Sequence, residues 1–113
     1  MKIEIKTVGD IKIIALSGDI DANTAPKVQQ RVLPLAVARS KILLNLTEVP
    51  YMSSAGLRLL LALYRQTTAR DGQLILVGLA QEIRRTMAVT GFLGFFTTCD
   101  TLELGLKTFR SWR

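Results

Sequence analysis

The segment from Lys41 to Tyr64 constrains the fold more than any other part of the chain. Lys41-Ile-Leu-Leu-Asn-Leu46 is a short run with almost no alternation of apolar and polar positions. A strand of that kind is covered on both faces, as in the middle of a sheet with parallel neighbours. After a turn containing Pro50, leucines recur at helical spacing: Leu57, Leu60, Leu61 and Tyr64 stand at i, i+3, i+4 and i+7. That spacing predicts a helix with one buried face, widened by Leu59 and Leu63. A buried strand feeding a buried helix calls for a layered α/β arrangement.

The flanking sequence fills in the layers. Residues 2–8 alternate as a half-buried strand, and Gly9-Asp10 turns the chain into a second strand from Ile11 to Leu16. Gly18 to Asn23 reads as a loop. A helix then starts at an Asn23 or Thr24 cap, with Pro26 in its first turn and Val28, Val32, Leu35 and Ala36 as apolar positions. Pro34 should kink that helix or end it early. Asp71-Gly72 is a turn before a fourth strand, Gln73 to Val77. Ile83, Met87 and Ala88 mark a third helix, with Gly91 placed to close it. Phe95 to Thr98 reads as a short final strand. Asp100 to Glu103 fits a capping box with Asp100 as the cap, opening a last helix with Leu102, Leu106 and Phe109 facing inward. Alternating strands and helices imply parallel pairing by right-handed crossovers after an antiparallel start. The expected fold is a single α/β domain over residues 1–113, an open mixed sheet of four to five strands with about four helices packed against it.

Ser53 and Ser54 fall where the turn after the central strand meets its helix. Backbone N–H groups there lack intrahelical partners and the helix dipole favours negative charge. A phosphate on one of these hydroxyls would sit in a favourable field. The plainer reading makes Ser53 only an N-cap, the usual role of a serine before a helix.

Composition narrows the chemistry. With no histidine and one cysteine, Cys99, the chain has no Ser-His or Cys-His pair and no set of soft ligands for a transition metal. No enzymatic activity, cofactor or metal is expected. The lone cysteine reads as a small buried hydrophobe, excludes an internal disulfide and fits a reducing cytoplasm. No apolar run is long enough to span a bilayer and the first residues do not read as a signal peptide, so no membrane role is expected. The net charge is +6, but the basic residues are dispersed and no basic run exceeds Arg84-Arg85. A solvated cationic surface, with no nucleic-acid partner, is the expectation.

Several segments together carry a resemblance. Leu16-Ser-Gly-Asp-Ile-Asp21, Asn23-Thr-Ala-Pro26, Leu43-Leu-Asn-Leu46 and Val49-Pro-Tyr-Met-Ser-Ser-Ala-Gly-Leu57 come first. Gly72-Gln-Leu-Ile-Leu-Val77, Ile83-Arg-Arg85 and Thr90-Gly-Phe92 follow in order. Over nearly the whole chain this resembles the anti-sigma factor antagonists, the bacterial branch of the STAS family. Many members carry Asp-Ser-Ser-Gly or Asp-Ser-Thr-Gly at the site. Aligned on Gly56, Ser54 falls on the family's phosphoserine, Ser53 replaces the aspartate and Ala55 replaces the second hydroxyl residue. The resemblance implies that the unphosphorylated form binds a GHKL-type serine kinase that doubles as an anti-sigma factor. Phosphorylation of Ser54, with Ser53 as the rival acceptor, would switch binding off, and a PP2C-type phosphatase would reverse it. Asp19, Asp21, Asn23 and Thr24 would join Ser53, Ser54, Ala55, Gly56 and Arg58 in the partner-binding surface. The competing class is a STAS-fold ligand-binding or scaffold module that acts without phosphorylation; no cofactor fingerprint supports it.

Overall fold

The structure is a computed structural model that describes residues 1–111. Five strands, β1 (Lys2–Val8), β2 (Ile11–Ser17), β3 (Lys41–Glu48), β4 (Gln73–Val77) and β5 (Thr97–Cys99), form one sheet in sequence order. β1 runs antiparallel to β2, and every later pair is parallel. Four helices complete the fold: α1 (Ala25–Val32), α2 (Ser54–Ala69), α3 (Gln81–Val89) and α4 (Leu102–Ser111). The parallel strands all point their C-terminal ends the same way, so the loops leading into α1, α2 and α3 share one end of the sheet.

β3 shows how the sheet sorts its two faces. Ile42, Leu44 and Leu46 point into the larger core, shared with Val28 and Val32 of α1, Leu60 and Leu63 of α2, and Ile83 and Met87 of α3. Leu43 points the other way and joins Ile13, Ile75, Val77 and Phe109 under α4. An apolar side chain on successive residues is therefore required, since helices cover both faces. Gly105 lets α4 lie close on that second face, because a Cβ there would come 2.8 Å from Leu43 Cδ1 and 3.0 Å from Val77 Cγ2.

The architecture matches the sequence reading, and several local assignments move. As expected, Pro34 ends the helix early; α1 stops at Val32 and the chain continues as a 3₁₀ turn over Leu33–Leu35, so Leu35 and Ala36 lie outside α1. In α2 the buried face is Leu57, Leu59, Leu60, Leu63 and Thr67, whereas Leu61 and Tyr64 are only half-buried. The inward direction lies about a residue away from the one the leucine spacing suggests, so Leu61 is rim and Leu59 is core. Ala88 is exposed on α3. Phe95 is not in the last strand; it ends a 3₁₀ turn over Leu93–Phe95, and β5 begins at Thr97. The cap of α4 is Thr101 rather than Asp100: the Leu104 amide donates to Thr101 Oγ1 at 3.2 Å, and the Gly105 amide to the Thr101 carbonyl at 3.1 Å. With the start shifted by one, Leu102 faces outward while Phe109 is buried. Cys99 is half-buried, its Sγ 3.5 Å from Thr108 Oγ1.

Candidate functional site

Ser53 and Ser54 stand in different surroundings. Ser53 is the N-cap of α2, with extended backbone, and its Oγ accepts from the Ala55 amide at 3.2 Å. The cap is the sequence expectation for Ser53, and it commits that hydroxyl to the helix. Ser54 is the first residue of α2, exposed, and its hydroxyl makes no hydrogen bond among the described residues. The first-turn amides of Ser54 and Gly56 have no intrahelical carbonyl to reach, so the helix end carries partial positive charge beside the Ser54 hydroxyl.

Backbone contacts stitch the β2–α1 loop against this helix start. The Ile20 amide donates to the Tyr51 carbonyl at 3.0 Å and the Ser53 amide to the Ile20 carbonyl at 2.9 Å. Ile20 and Met52 thereby form one isolated parallel bridge beyond the ends of β2 and β3, and both are buried. Gly56 makes the close approach possible. A Cβ at that position would sit 3.0 Å from Ile20 Cγ2, 3.2 Å from the Ile20 carbonyl oxygen, and in collision with Met52 Cγ. Gly56 is buried, so it acts as a spacer that seats the two loops together.

The loop residues expected at the partner surface divide in the same way. Asp21 and Thr24 build the loop. Asp21 Oδ1 accepts from the Asn23 amide at 2.9 Å and from the Thr24 amide at 3.1 Å. Thr24 Oγ1 donates to the Asp19 carbonyl at 2.8 Å and accepts from the Asp21 amide at 2.9 Å. Hydrogen bonds from the Asn23 amide, then from the Thr24 amide, hold the Asp21 carboxyl below the ordinary aspartate range. Thr24 occupies the N-cap position of α1 but makes no side-chain cap bond to it. The side chains of Asp19 and Asn23 are left exposed on the loop that Ile20 ties to the start of α2.

Arg58 stands one turn after Ser54, at i+4, exposed and without an ion pair among the described residues. With Ala55 it lines a shallow groove of about 440 Å³ between α1 and α2, whose other wall is Ala22, Ala25, Pro26 and Gln29. On the far side of the helix start, Pro50 and Tyr51 edge a smaller cleft with Glu82, Ile83 and Thr86 of α3, and Tyr51 is 54% exposed. The sequence reading missed this second flank. Its available signal was a large aromatic in a proline turn immediately before the serine pair. Among the described residues no group of three or more histidine, cysteine, aspartate or glutamate side chains could hold a metal, and no helix is long and apolar enough to cross a membrane.

A mixed sheet of five strands in sequence order, with helices on both faces, is the architecture of STAS domains. The STAS domain family matches residues 2–105, and the chain belongs to it. Among its relatives, the anti-sigma-B factor antagonist of Listeria monocytogenes is 37% identical over 79 residues, 69% of each chain. The crystal structure of an anti-sigma factor antagonist from Mycobacterium paratuberculosis has a TM-score of 0.84 and 27% identity, and the likeness covers 97% of this chain and 94% of that one. The Bacillus cell-fate determinant SpoIIAA in its phosphorylated form shares the fold, with a TM-score of 0.75 and 20% identity over 96% of this chain and all of that one. The resemblance read from the motifs therefore holds at the level of family and fold.

Proposed function

We propose that this STAS domain is an anti-sigma factor antagonist whose partner binding is switched off by phosphorylation of Ser54. The observation that carries this reading is the division between the two serines. The Ser53 hydroxyl is spent on the helix cap, while the Ser54 hydroxyl is exposed and uncommitted at the first helical position. The partner is a GHKL-type serine kinase that doubles as an anti-sigma factor; it supplies ATP, and a PP2C-type phosphatase removes the phosphate. The chain works in the cytoplasm, as a protein-binding module with no role at nucleic acid or membrane.

The switch follows from charge. Phosphorylation adds ~−1.5 to −2 charges and three strong acceptor oxygens at neutral pH. The helix start tolerates them, since its amides face the phosphate and Arg58 is within reach one turn on. A partner that closes over a neutral serine must instead desolvate a dianion. The Asp19 carboxylate, exposed on the loop that the neighbouring Ile20 ties to this helix start, adds to the negative field. Binding is lost while the fold is kept.

The test is site mapping by mass spectrometry after incubation with ATP and the candidate kinase. Phosphate on Ser54, with no incorporation into Ser54→Ala, is the expected result. Phosphate on Ser53 alone, or undiminished labelling of Ser54→Ala, would overturn the assignment.

A further inference from the structure

β1 is an outer strand of the sheet, paired with β2 on one side and with nothing on the other among the described residues. Its seven residues run in unbroken register with Ser17 down to Ile11, with no bulge and no proline. The hairpin loop is Gly9-Asp10, with Gly9 at φ 61° in the first central position, so Val8 and Ile11 are the closing hydrogen-bonded pair. Counting back in twos, the amides and carbonyls of Lys2, Glu4, Lys6 and Val8 face β2. Those of Ile3, Ile5 and Thr7 point away from it and form the open edge.

An open edge of this length is a template for another strand, and charged side chains are the usual protection against that. Here the charges on one face alternate in sign, Lys2, Glu4, Lys6. We propose that β1 pairs antiparallel with β1 of a second copy of this chain, about a two-fold axis through Ile5, to give a continuous ten-stranded sheet. In that register Ile5 meets Ile5, Ile3 meets Thr7, Glu4 meets Lys6 and Lys2 meets Val8. Ile3, Ile5 and Thr7 then occupy the hydrogen-bonded pairs that their outward backbone groups require. Glu4 and Lys6 occupy non-hydrogen-bonded pairs, where opposing side chains approach most closely.

Charge selects this register over its neighbours. A slide of two residues one way sets Glu4 against Glu4 and Lys2 against Lys6; the other way sets Lys6 against Lys6. Like charges directly opposite destabilise a strand pair. A slide of four restores Lys2 opposite Glu4 but leaves only Lys2 to Glu4 paired. The chosen register also covers Ile3 and Ile5, which are half-buried against the larger core. Because the axis stands normal to the sheet, the two α1–α3 layers share one face and the two Ser54 sites lie at opposite ends. The dimer is thereby bivalent, with neither site covered.

Sedimentation equilibrium over a wide concentration range tests this with the full chain. The wild type should show a monomer–dimer equilibrium that weakens at high salt. Glu4→Lys and Lys6→Glu should each raise the dimer dissociation constant by about tenfold or more, since two cross-strand attractions become repulsions. The double variant Glu4→Lys/Lys6→Glu should recover the wild-type value. Thr7→Pro, which removes an outward-facing amide, should give a monomer with the wild-type circular dichroism spectrum. A wild type that stays monomeric throughout, a dimer indifferent to the single reversals, or a double variant that does not recover would each overturn the pairing.

Discussion

Truncating neighbouring leucines of α2 gives a sharp test of how this helix seats. Leu60 and Leu61 are adjacent and chemically identical, and spacing alone places both on the buried face. The structure separates them: Leu60 is 0% exposed in the larger core, whereas Leu61 lines a shallow apolar surface site with Tyr64, Arg65, Phe92 and Phe95. Leu60→Ala loses the transfer free energy of the removed atoms and leaves a cavity between the helix and the sheet, for roughly 3–5 kcal/mol. Leu61→Ala removes a side chain that is already partly hydrated and leaves no closed cavity, for about 1 kcal/mol. A domain of this size is stable by ~5–15 kcal/mol, so the first change takes a large share and lowers the melting temperature by more than about 10 °C. Urea unfolding monitored by circular dichroism, with the slope held common, measures both. Equal costs, or a larger cost at Leu61, would refute the orientation of α2.

Three further outcomes follow from the site. Ser53→Ala should cost about 1 kcal/mol through loss of the cap, and Ser54→Ala should be within a few tenths of wild type; the reverse order in chemical denaturation would contradict the division of labour. Asp21, whose carboxyl is held low by the Asn23 and Thr24 amides, contributes stability above its unfolded value near ~4 that is lost as pH falls through its folded value. Asp21→Asn should therefore flatten the fall in melting temperature between about pH 5 and 2, and an unchanged slope would count against that loop assignment. In the phosphorylated protein, Arg58→Ala should raise the second phosphate pKa, ordinarily about 6, in a phosphorus NMR titration. An unmoved value would remove Arg58 from the phosphate's surroundings.

The sequence carried the layered fold and the order of its elements, for identifiable reasons. The unbroken apolar run of β3 demands cover on two faces, and Pro34 and Gly91 mark helix ends through fixed or permissive φ. Rotations and single-residue shifts were less legible. Which leucines of α2 face the sheet depends on where the Ile20–Met52 bridge anchors the helix start, a contact between residues 32 apart in sequence. At α4 two adjacent capping residues compete. Asp100 ranks above Thr101 on intrinsic preference, yet the Leu104 amide donates to Thr101 and Gly105 lies close on Leu43, a tertiary contact that local preference does not register. At the site, the serine pair was legible. The role of Gly56 as a spacer, and the loop-building use of Asp21 and Thr24, required the partner loop in place.

The central claim is that charge at Ser54, and not loss of fold, controls partner binding. Isothermal titration of the kinase partner with the unphosphorylated chain and with the chain phosphorylated on Ser54 tests it directly, alongside melting curves of both forms. The account predicts an affinity at least about a hundredfold weaker for the phosphorylated form, since desolvating or opposing the added charge can cost several kcal/mol, with a melting temperature equal to or above that of the unphosphorylated form. Equal affinity for the two forms, or weaker binding that appears only because the phosphorylated chain unfolds, would contradict it.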